Sequence, residues 1–198
     1  MSTRIPVQAR SRATVEAIRG GTRRVLASRG YAGTTTNHIA EAAGVSIGSF
    51  YQYFADKDAA VAAYAEQFAQ ETLTFAAEHV AQSDGTGTPV AAWLTALSIH
   101  ACEQAALVRV LFQEVPYIWS LPGFRDAMTG ALTVVEQLGG DSLAGDAQNH
   151  DRAFVILKAA VAVIIEVAAD PELRARRPAI IHELALMIDA YLDAARRS

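Results

Sequence analysis

One cysteine, Cys102, stands in the 198 residues, which excludes an intramolecular disulfide framework. No apolar h-region follows the N-terminus, as a secretory signal would need. The longest uninterrupted apolar stretch, Ala159 to Ile165, is flanked by Lys158 and Glu166 and falls far short of the ~20 residues that cross a bilayer. The expectation is a chain of the reducing cytoplasm with no membrane partner. Alternating strand-like stretches, valine-threonine hairpin patterns and internal repeats are missing too. What is plentiful is apolar bulk, 52% of residues, enough for a substantial core in one large domain or two small ones.

Charge divides unevenly along the chain. Residues 1 to 58 carry eight bases against four acids, a net of +4, so the remainder of a chain with net charge −4 carries −8. A basic N-terminal region on an acidic body suits a polyanionic partner, because phosphate neutralisation needs Lys and Arg; ordinary surface charge is the plainer reading.

A hydrophobic period near 3.6 makes the chain all-α. The first helix is expected from about Ser11 to Ser28, with Val15, Ile18, Thr22, Val25 and Leu26 on one face and Gly30 ending it. The pair Gly20-Gly21 inside it costs ~1 kcal/mol per glycine, and marks either close packing or a local weakness. Further helices are expected at about Thr36 to Ala43, Ile47 to Phe54 and Lys57 to Gln82, then one opened by Pro89 after a loop from Ser83. A break at Pro116 to Pro122 precedes Phe124 to Leu138. Asp151 to Ala169 and Pro178 to Ala195 close the chain, after the Gly/Asp-rich stretch Gly139 to Asp146 and the Asp170-Pro171 break.

The stretch Gly33 to Lys57 carries the function. Thr35 is placed to cap a helix whose inward residues are Ile39, Ala40 and Ala43, with Ala40 small enough for a close neighbour. Gly44 tolerates the positive φ of a tight turn, Val45 plugs the corner and Ser46 caps the next helix, giving a helix-turn-helix. At 100° per residue, Phe50 and Phe54 share the inner face of that second helix. Gly48 and Gln52 then point outward, with Ser49 nearby and Tyr51 and Tyr53 flanking them. Such a surface suits groove insertion. A missing side chain permits close approach, glutamine bonds adenine bidentately, hydroxyls reach base edges or phosphates, and no acid repels DNA. Asp56 caps the following helix, so Lys57 meets a helix N-terminus where free N–H groups and its own ammonium favour a phosphate.

Over about Ala13 to Ala62 the chain strongly resembles the TetR family of repressors. The resemblance rests on Gly30-Tyr31, Thr34 to Thr36, Ile39-Ala40, Ala43-Gly44-Val45-Ser46, Gly48, Tyr51, Tyr53-Phe54 and Lys57. It implies phosphate contacts from Thr35, Tyr51, Tyr53 and Lys57, and base-facing roles for Asn37, Ile47, Gly48, Ser49 and Gln52, with Thr36 serving either. Gly21-Thr22 departs from the alanines common in that family. Arg4, Arg10 and Arg12 read either as a DNA-binding arm or as a disordered basic tail. The expected organisation is a three-helix DNA-binding domain over 1–58, with its basic arm, and a helical regulatory and dimerisation domain over 59–198.

In the body the resemblance is only architectural. Apolar residues cover nearly the whole circumference of the helix from Asp151 and a broad stripe of the last one, so both helices need burial on more than one side. A homodimer interface is expected from Phe154, Leu157, Val161 and Ile165 with Ile181, Leu184, Ile188 and Tyr191, and the resemblance likewise implies a four-helix interface. Trp93, His100, Phe112, Tyr117, Trp119, Phe124 and Met128 are candidates for a pocket holding a small apolar or aromatic inducer. Core packing for Trp93, Phe112 and Met128, and loop anchoring for Tyr117 and Trp119, are the duller alternatives. His100, Cys102 and Glu103 suggest an enzyme or metal site, but Cys102 points away from the other two and no second ligand cluster or base-orienter pair accompanies them. No catalysis, cofactor or metal is expected. A helical module answering to a protein partner, a hydrolase or transferase built on His100 and Glu103, and activation in place of repression are the remaining alternatives.

Overall fold

The computed structural model describes residues 7–82, 87–139 and 147–197. Of the basic arm, Arg4 and the side chain of Arg10 lie outside the described residues, as do parts of the expected loops at Ser83 and Gly139. The chain is all-α, with no strand among the described residues. Helices α1 (Val7–Arg29), α2 (Thr36–Ala43), α3 (Ile47–Tyr51) and α4 (Lys57–Ala81) come first. There follow α5 (Pro89–Glu103), α6 (Ala105–Arg109), a π-helical turn (Val110–Glu114), a 3-10 turn (Ile118–Ser120) and α7 (Pro122–Gly139). The chain ends with α8 (Ala147–Ala169), α9 (Pro171–Ala175) and α10 (Arg177–Arg196). No single helix among the described residues is long and apolar enough to cross a membrane.

The chain forms two compact units. The first runs to Phe68 and also takes in Val110–Leu121; the second holds Ala69–Arg109 and the chain from Pro122 onward. A border at residue 58 would cut at the start of α4, whereas the continuous helix carries the first unit three turns further. The recruitment of 110–121 leaves no periodicity in the sequence and was not expected.

In the first unit Ile18 of α1, Ile39 and Ala40 of α2, Phe50 of α3 and Ala60 of α4 form one core, with Val45 and Phe54 packed against it. Phe50 is fully buried, worth roughly 2–3 kcal/mol relative to exposure. The expected caps are in place: Thr35 accepts the His38 amide at 3.2 Å, Ser46 the Ser49 amide at 3.1 Å, and Gly44 closes α2 at φ +68°. Gly21 of the Gly20-Gly21 pair is also explained. A Cβ on Gly21 would stand 2.8 Å from the Ile39 carbonyl oxygen and 2.9 Å from the Ala43 amide nitrogen, so the glycine lets α1 and α2 touch backbone to backbone.

In the second unit α5 packs on both α8 and α10; Pro89 opens it as expected, and Thr88 caps it. A water-sized apolar void in the unit is lined by Val90, Trp93, Leu94, Val135, Ile156, Ile188 and Leu192. Four of the residues expected between subunits are instead spent here. Leu157, Ile181, Leu184 and Ile188 are buried within the unit, where α5 packs on both α8 and α10, and α6 and α7 pack on α8 as well. Val161 and Ile165 are half-buried, while Phe154 and Tyr191 remain exposed together with Val155, Leu186 and Met187.

Candidate nucleic-acid interface

With Phe50 and Phe54 turned inward, α3 and the turn after it present Ile47, Gly48, Tyr51, Gln52 and Tyr53 to solvent. Tyr51 is 55% exposed although its ring stacks edge-on against Phe50 at 5.5 Å, so the core grips its root and leaves its hydroxyl outside. That hydroxyl lies 3.2 Å from the Thr36 Oγ1, which brings α2 and α3 together at one point of the reading face. A Cβ on Gly48 would meet only the Ser46 hydroxyl, at 3.9 Å, so its surroundings are open to an approaching groove. Thr35 and Asn37 are exposed at the start of α2. Ser49 is half-buried, its hydroxyl 2.9 Å from that of Ser46, which commits it to the cap. α3 is shorter than expected by its last turn. The Phe54 amide still donates to the Phe50 carbonyl at 3.0 Å, so the side chains keep their helical order.

Lys57 opens α4 after Asp56, whose carboxylate accepts the Ala59 amide at 2.8 Å. Its ammonium donates to the Tyr31 carbonyl at 3.2 Å and stands 4.2 Å from the centre of the Tyr31 ring. Tyr31 is held on two further sides. Its amide donates to Glu114 Oε2 at 2.9 Å, and its hydroxyl donates to Asp58 Oδ1 at 2.8 Å. Tyr117 donates to the same oxygen at 3.0 Å. Burial foremost, then hydrogen bonding among Tyr31, Tyr117 and Asp58, pushes the Tyr117 hydroxyl far above its ordinary value; burial and Asp58 raise that of Tyr31. Both hydroxyls therefore stay protonated donors at neutral pH.

Sequence reasoning missed Tyr31, Glu114 and Tyr117 as parts of this site, and also Arg24, whose guanidinium donates to the Ala42 carbonyl at the end of α2. The Gly30-Tyr31 pair was a visible signal; contact across 83 positions with Glu114 was not.

The residues suggested for a ligand pocket divide between the units. Phe112, Tyr117 and Trp119 belong to the first, with the Phe112 and Trp119 rings tilted against each other at 5.4 Å; Trp93, His100, Phe124 and Met128 belong to the second. Trp93 and Phe124 are buried, and His100 lies against Phe75 at 5.0 Å. Cys102 is half-buried, and burial pushes its thiol up against the opposing pull of Arg177 and Arg174. Among the described residues no group of three or more His, Cys, Asp or Glu could hold a metal ion.

Residues 18–64 match the family described as bacterial regulatory proteins, tetR family. No curated protein matches the chain. Among solved structures, a transcriptional regulator from Rhodococcus is 19% identical, covering 91% of this chain and 96% of its own at a TM-score of 0.69. GusR from Salmonella enterica is 19% identical, covering 96% and 100% at 0.67. A TetR-family transcriptional regulator from Streptomyces coelicolor is 17% identical, covering 93% and 98% at 0.64. At these identities the likeness is one of fold along nearly the whole chain.

Proposed function

We propose that this chain is a member of the tetR family of bacterial regulatory proteins, which its residues 18–64 match, and a cytoplasmic repressor that grips a palindromic operator as a homodimer and lets go when a small apolar or aromatic ligand binds. The observation that carries the reading is the exposed set Gly48, Tyr51, Gln52 and Tyr53 on and just after a helix anchored by Phe50. In a two-fold dimer, two such helices about 34 Å apart would enter successive major grooves and occlude a promoter.

Support for the dimer comes from Phe154 and Val155 of α8 with Leu186, Met187 and Tyr191 of α10, large apolar side chains exposed on adjoining helices. Support for the ligand is thinner: aliphatic and aromatic side chains surround the void beside Trp93, and a ligand entering there would have to select a more open conformer. On this reading the protein binds and releases and carries out no reaction of its own.

The test is capture of fragmented DNA from the source genome at moderate salt, with a Gln52→Ala, Tyr53→Ala double variant alongside. Recovery of one palindromic site, lost in the variant, is expected. Equal recovery of random fragments by both proteins would move the assignment to the alternative of a module that answers to a protein partner.

A further inference from the structure

We infer that Glu114 and Tyr117, far along the chain from the helix-turn-helix, are positioning residues for DNA binding, which act by holding Tyr31 as a cradle for the Lys57 ammonium. The inference rests on the proposed operator binding.

Lys57 is the one lysine of the reading region, and a lysine side chain has four rotatable bonds to immobilise before its ammonium can serve a phosphate. Here one of its three N–H donors is spent on the Tyr31 carbonyl and its charge lies over the Tyr31 ring, which leaves two donors on a side chain already directed. The cradle is only as firm as Tyr31. That residue sits immediately after Gly30, which turns the chain at φ +68°, and it belongs to no helix. Its backbone amide is satisfied by Glu114 and its hydroxyl by Asp58, and the Asp58 oxygen is shared with Tyr117. The rings of Tyr31 and Tyr117 also meet edge to face at 6.1 Å.

Backbone geometry supports a dedicated role for this segment. The turn that presents Glu114 is π-helical, closed by the Val115 amide on the Val110 carbonyl at 3.2 Å. Such turns are rare, and the extra residue re-aims the side chains that follow by about 100° relative to an α-helix. The fit is close: a Cβ on Gly30 would stand 2.7 Å from Glu114 Oε2, so a larger residue there would push the carboxylate aside.

The test measures the affinity of the full chain for its captured operator and for random duplex of equal length, with Tyr117→Phe, Glu114→Ala, Glu114→Gln and Lys57→Met, singly and combined. Tyr117→Phe and Glu114→Ala should each weaken operator binding about 5-fold, through the freedom returned to the lysine. The ratio of operator to random affinity should be unchanged, because a phosphate contact carries no sequence information. Glu114→Gln keeps an acceptor for the Tyr31 amide and should restore most of the loss. In the Lys57→Met background neither substitution should cost anything further. Losses of the same size with and without Lys57 would overturn the inference and leave Glu114 and Tyr117 as parts of the unit's general stability. If the wild type captures no operator, the functional reading itself fails, which is a separate outcome.

Discussion

Gly21 of α1 faces the Ile39 carbonyl oxygen of α2 so closely that a Cβ would stand 2.8 Å from it, whereas a Cβ on the adjacent Gly20 would meet only the Arg24 guanidinium at 3.5 Å. The two glycines occupy the same helix and have the same intrinsic propensity, so substitution separates propensity from packing. Gly20→Ala should stabilise the protein by about 1 kcal/mol. Gly21→Ala gains the same propensity but pushes two backbones apart, and overpacking of about 1–3 kcal/mol should outweigh it. Urea midpoints of both variants check the sign. Stabilisation by both would mean that α1 and α2 tolerate the wider spacing.

Alkaline pH should reveal the Tyr31-Tyr117 pair. Both hydroxyls hold their protons more tightly in the folded protein than in the unfolded chain, where tyrosine titrates near 10, chiefly because they are buried and then because they donate to Asp58. The unfolded state then binds fewer protons above that pH, so this contribution is fully present below about pH 10 and declines as the pH rises further. Denaturant midpoints between about pH 8 and 11 should fall less steeply in Tyr117→Phe than in the wild type. Parallel curves would show that Tyr117 ionises normally.

Gln52 and Lys57 should fail in different ways. Gln52→Ala should cost about 1–3 kcal/mol on the operator and little on random DNA, because a base-edge contact is lost. Lys57→Met should weaken both duplexes alike and reduce the slope of log K against log salt by about 1, because one phosphate is no longer neutralised. Fluorescence anisotropy over a salt series distinguishes them. An unchanged preference in Gln52→Ala would take that side chain off the base edge.

Phe154→Glu with Met187→Glu should produce monomers. Both positions are already exposed in the single chain, so charge there leaves the second unit's own core intact and penalises only a covered face. Light scattering together with circular dichroism gives the answer: a folded monomer is expected, and an unchanged dimer would place the interface elsewhere. Ile188→Glu is the contrasting variant. That side chain is 1% exposed and lines the void, so its replacement should unfold the unit.

Local signals made much of the reading head legible. Thr35, Gly44, Ser46 and Asp56 act on their own neighbours within four residues, so their capping roles follow from residue type and spacing alone. The inward pair Phe50 and Phe54 follows equally from helical geometry, and with it the outward face of Gly48 and Gln52. The breadth of the apolar stripes on α8 and α10 was legible too, but not which neighbour covers each side. Periodicity reports that Leu157 and Ile188 must be buried, and is silent on whether α5 or a second subunit does it.

The residues themselves determined the all-α class, the helix-turn-helix and the side chains on its outer face, because each depends on interactions between positions a few residues apart. Tertiary structure alone decided that α1 and α2 touch at Gly21, that α5 claims the inner faces of α8 and α10, and that Glu114 and Tyr117 reach Tyr31 and Asp58. Those contacts join positions far apart in the chain. Their partners are chosen by which apolar faces close on each other in space, a choice that no spacing along the sequence encodes.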